Sequence, residues 1–107
     1  MDTMMKNAIE VRDSLKRRLV VLEDKLIRLE DEVTNAWCVV EELEALDPYA
    51  SNDDYKFNKH MAEAYDNYEA LLHKQNDLRE EQDEVLEAWE AAVTVARYYL
   101  RKAEAQR

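Results

Sequence analysis

Two histidine–carboxylate pairs in this chain approach the spacing of a helical metal site: Glu69 lies four residues before His73, and His60 three before Glu63. Either spacing puts both side chains on one face of a helix, but a site inside a helical bundle needs inward-pointing carboxylates with a Glu-x-x-His spacing. Both pairs fall on outer positions of the repeat assigned below, so no metal is expected. A thiolate nucleophile needs positive neighbours, and Cys38 is instead followed by Glu41 and Glu42. As the one cysteine it has no internal disulfide partner, which fits a reducing compartment and a cytoplasmic location. Ser14 and Ser51 have no histidine placed beside them by a motif, and a chain with no glycine has no phosphate-cradling loop. Neither catalysis nor a cofactor is expected.

What the residues offer instead is surface. From Glu30 to Asp54 the chain places Glu30, Asp31, Glu32, Glu41, Glu42, Glu44, Asp47, Asp53 and Asp54 without a single Lys or Arg. The whole chain has a formal net charge of -10. A nucleic-acid-binding face must neutralise phosphates with Lys and Arg, so direct nucleic-acid binding is disfavoured. A basic protein is the natural partner for the acidic segment, with Tyr49 and Tyr55 as aromatic anchors beside it. A second acidic run, Glu80 to Glu90, is expected to lie beside Arg12, Lys16, Arg17 and Arg18 and to be compensated there.

The elements that carry these surfaces follow from a heptad pattern. One row reads Met1, Ala8, Leu15, Leu22, Leu29, Ala36, Leu43 and a second Met5, Arg12, Leu19, Leu26, Val33, Val40. Taken as d and a positions, they define a coiled-coil helix over about residues 2–46. Asp47-Pro48 ends it, because proline disfavours helix before itself and donates no backbone bond. Ser51, followed by Asp53 and Asp54, is a suitable cap for a new helix, which puts the turn at about 47–51 and the second helix at about 52–105. Its d row is Phe57, Ala64, Leu71, Leu78, Val85, Ala92, Tyr99 and its a row Met61, Tyr68, Gln75, Gln82, Trp89, Ala96, Ala103. With one proline and no turn-forming glycine, the fold class is all-α: a single long antiparallel helical hairpin over 1–107. No run is apolar enough for a membrane span, and the start lacks a signal-peptide layout.

A short link allows two registers, with facing residue numbers summing to about 97 or about 104. The first opposes Lys25 to Lys74 and Lys16 to Arg79. The second opposes Lys25 to Glu81, Glu32 to Lys74 and Glu23 to Arg79, brings Trp37 to Tyr65 and Ile9 to Val93, and balances Ala36 against Tyr68. The second is preferred. Gln75 and Gln82 interrupt the core where a buried amide fixes register, and Arg12 is expected to reach past Trp89 toward Glu84 or Glu87.

On the side where both e rows emerge lie Ile9, Trp37, Tyr65, Leu72, Leu86, Val93 and Leu100, with Val20 and Ile27 from the adjoining b row. Such a stripe is too apolar to be left in water, so dimerisation into a four-helix bundle is expected. The sequence therefore points to a non-enzymatic protein-interaction module, a homodimer acting as scaffold, adaptor or chaperone. The rival reading is a small acidic inhibitor, of the viral kind, that mimics nucleic-acid charge and blocks the basic site of a target. Such a mimic should lose affinity steeply with salt, whereas groove binding should survive it.

Overall fold

The computed structural model describes residues 3–46 and 55–106. Two helices make up the described chain, α1 over Thr3–Leu46 and α2 over Tyr55–Ala105, 44 and 51 residues long. The fold is the antiparallel helical hairpin that the heptads require. The expected turn at 47–51 and the start of the second helix at 52 fall outside the described residues, as do Asp47, Tyr49, Asp53 and Asp54 of the acidic segment. Alanine, leucine, glutamate, lysine and arginine dominate both helices, all residues that lose little freedom on entering a helix. Among the described residues no backbone angle is left-handed and no peptide bond is cis. No described helix is long and apolar enough to cross a membrane.

The chain divides into two compact units. A terminal unit pairs Met1–Asp24 with Arg79–Arg107, and a central unit comprises Lys25–Leu78. In the terminal unit Leu22, Val85, Ala92 and Ala96 are buried, while Met5, Ala8, Arg12, Leu15, Leu19, Gln82, Trp89 and Tyr99 are half-buried. In the central unit Leu29, Ala36, Val40 and Gln75 are buried, with Leu26, Val33, Leu43, Met61, Ala64, Tyr68, Leu71 and Leu78 half-buried. Every described a and d position is at least half-buried, which is what a 3.5-residue period does to a helix packed on one partner. Each fully buried aliphatic side chain contributes ~1.5–3 kcal/mol, so these rows, more than helix propensity, hold the hairpin together.

Side-chain contacts fix the register. In the terminal unit the Lys16 ammonium lies 5.1 Å from the centroid of the Trp89 ring, and the Tyr99 hydroxyl is 3.9 Å from the Met4 sulfur. In the central unit the rings of Trp37 and Tyr68 are 5.0 Å apart at 45°. These pairs belong to the register near 104 and cannot form in the one near 97, which lies two helical turns away. Lys74 and Glu32 line one cleft, together with Lys25, Arg28, Leu29 and Leu78, as that register demands.

Several partners differ from those expected. Arg12 does not reach Glu84 or Glu87; its guanidinium meets Asp13 at 3.0 Å on its own helix. Lys16 already covers Trp89, and an adjacent carboxylate satisfies the cation without extending the side chain. Glu81 pairs with Arg18 at 3.3 Å rather than with Lys25. Trp37 packs its ring against Tyr68, not Tyr65, and Tyr65 instead donates its hydroxyl proton to the Glu44 carboxylate. Long side chains on a helix lean toward its N-terminus, so on antiparallel helices they lean in opposite directions. Tyr65 and Glu44, offset along the pair, lean toward each other.

Candidate functional site

The chemistry-bearing residues do not assemble into a reaction centre. His60 and Glu63 approach to 3.9 Å, but both side chains are about two-thirds exposed, at 67% and 62%. His73 and Glu69 are exposed too, and among the described residues no three His, Cys, Asp or Glu side chains converge as metal ligands. Cys38 is exposed on α1. Among the described residues no fully buried side-chain nitrogen or oxygen lacks a hydrogen-bond partner, so the core holds no polar atom waiting for a ligand.

Surfaces remain. The e side of each unit is built by the same rule: the residue after each d position stands at the edge of the helix–helix seam, where it is only partly covered. In the central unit Ile27 is 56% and Trp37 38% exposed, beside half-buried Tyr65 and Leu72. In the terminal unit Val20 is 56%, Leu86 40% and Leu100 38% exposed, beside half-buried Ile9 and Val93. Each unit thus has exposed apolar side chains at the seam edge, with half-buried ones beside them.

The acidic segment is equally open. Glu30, Asp31, Glu32, Glu41, Glu42 and Glu44 are all exposed in the central unit. Their placement opposes a local rule. A helix C-terminus carries partial negative charge and favours cations, yet the last turn of α1 contains no basic residue and Glu41, Glu42 and Glu44 crowd its end. The unfavourable dipole interaction falls off within the last turn, so it bears on Glu44 most. At the C-terminal end of α2 the rule is obeyed, with Lys102 in the last turn. The Tyr65 hydroxyl offsets part of the conflict by donating to Glu44, and that acceptor pushes the Tyr65 pKa above the usual phenol value. Burial and the charge of Glu44 push it the same way.

One surface was not anticipated. On the opposite, g side of the terminal unit, Met4, Ala8, Val11, Ala92, Val95 and Tyr99 line an apolar groove of about 370 Å³. Met4 is 63%, Val11 54% and Val95 48% exposed. In the sequence these residues are far apart, and only the pairing of α1 with α2 brings Val11 beside Val95. Recurrence of g-position aliphatics, Met4 and Val11 in one helix and Val95 in the other, was the available signal. A second patch on α2, formed by Thr94, Arg97, Tyr98, Arg101 and Lys102, is basic and aromatic.

The chain matches no protein-family model, no curated protein and no solved structure.

Proposed function

We propose that this chain is a non-enzymatic protein-interaction module, a homodimer of helical hairpins that serves as scaffold, adaptor or chaperone for another protein in the cytoplasm. The observation that carries the reading is the exposure of large apolar side chains on the e side, Val20, Ile27, Trp37, Leu86 and Leu100, in a molecule whose described a and d positions are all at least half-buried. Removing apolar surface from water returns ~25 cal/mol per Å², and a second hairpin offers the same face in self-complementary form. Replacing Leu72 and Leu86 with Glu tests it. The variant should sediment as a helical monomer where the parent is a dimer, because a buried charge opposes association. An unchanged mass would remove this face from the interface.

A second reading draws on the six exposed carboxylates of Glu30 to Glu44. In it the acidic segment occupies the basic site of a target, as an inhibitor that imitates nucleic-acid charge. The absence of any cation from that segment and the conflict of Glu41, Glu42 and Glu44 with the α1 dipole support it, since residues that oppose local stability tend to be kept for function. Salt dependence of partner binding separates the two readings.

A further inference from the structure

The charges that frame the apolar e side differ between the two units. In the central unit the charged residues of the e and b rows are Glu30, Glu41, Glu44 and Glu69, all exposed, with no cation among them. Among the described residues of the terminal unit the same rows hold Lys6, Lys16, Arg79 and Arg97, likewise exposed, interspersed with five carboxylates of which Asp13 is engaged by Arg12. The contrast extends to the whole units: the central one has 13 acids against five bases, the terminal one 12 against ten.

We infer that the surface covering the e side of the central unit is the e side of the terminal unit of a second copy. This rests on the dimer reading above and fixes its sense. Packing central unit on central unit sets four carboxylates against four around the apolar side chains, with no cation within either face. The crossed contact keeps the apolar complement, Ile27, Trp37 and Leu72 against Val20, Leu86 and Val93, and sets the carboxylates of the central face against a mixed surface in which Lys6, Arg79 and Arg97 stand among carboxylates, in place of a surface of carboxylates alone. Like charges forced together in a partly desolvated contact oppose association, and opposite ones select orientation more than they add affinity. Lys16 and Glu44 take a smaller share, because one lies over Trp89 and the other accepts from Tyr65.

Charge reversal on the full chain tests the sense separately from the dimer. Lys6→Glu, Arg79→Glu and Arg97→Glu together should weaken self-association by about tenfold or more in sedimentation. Adding Glu30→Lys, Glu41→Lys and Glu69→Lys to the same chain should bring it back to parental strength or beyond, since the cations then stand on the central face and meet the carboxylates of the terminal one. A combined variant that associates more weakly than the parent while keeping its helical circular dichroism overturns the crossed sense. A parent that sediments as a monomer overturns the dimer reading itself. Should either reversal lose its helix, cross-linking decides on near-native chains. In a Cys38→Ser background, E41C and R97C proteins are mixed and treated with a flexible bis-maleimide. Links between the Glu41 and Arg97 sites are expected, whereas links mainly between two Glu41 sites, or none between unlike sites, overturn the proposal.

Discussion

At the scale of single residues, the contact between Tyr65 and Glu44 ties a titratable group to the fold. The Tyr65 hydroxyl donates to the Glu44 carboxylate, and this bond, with lesser help from burial and charge, raises its pKa. A raised folded-state pKa means that the pair's stabilisation is complete below the unfolded tyrosine value of ~10 and is lost as pH climbs through the folded value. In a phenolate absorbance titration one tyrosine should therefore ionise above the usual range and return to it after Glu44→Gln. An identical curve for the variant would show that the carboxylate is not the cause. Such pairings were not legible in the sequence. Arg12, Trp37 and Tyr65 each sit at the heptad position assigned to them, yet each found a different partner, because side-chain lean and the nearest available counter-group decide among several residues at comparable reach.

At the scale of elements, the heptad rows foretold which face of each helix is covered, because only a 3.5-residue period keeps one stripe on a packed partner. Val40, wholly inaccessible, and Gln75, 7% exposed, mark the two sorts of core position this creates. Val40→Ala should cost ~2 kcal/mol through lost transfer energy and a small cavity. Gln75→Leu should instead raise the midpoint of urea unfolding, since an apolar side chain of similar volume avoids burying an amide. A destabilising Gln75→Leu would reveal a hydrogen-bonding role for that amide beyond register. The g-side groove around Val11 and Val95 was missed for the opposite reason: its sequence signal is short, and the groove forms only where the g positions of two helices meet.

At the scale of the whole molecule, charge and apolar surface divide the labour. The net charge of -10 arises mostly in the central unit, where 13 of the 25 acids meet only five of the 15 bases. Exposed charge steers encounter, and its influence fades with salt. Exchanging Glu41, Glu42 and Glu44 for Gln should slow association with a basic protein partner and flatten the salt dependence of that rate. Helix content should hold or rise, because the exchange also relieves the α1 C-terminus. An unaltered rate and salt response would leave the acidic segment as a solubilising surface and contact to the apolar faces, the e side and the g-side groove.

The two tryptophans are distributed one to each unit: Trp89 beneath the Lys16 ammonium in the terminal unit, Trp37 against the Tyr68 ring in the central one. An indole near a cation and an indole tilted against a phenol emit and quench differently. The hairpin thus carries a built-in optical probe for each of its halves. Replacing one tryptophan by phenylalanine leaves the other to report, by its own fluorescence, on whether loosening begins among the terminal residues or around the central core.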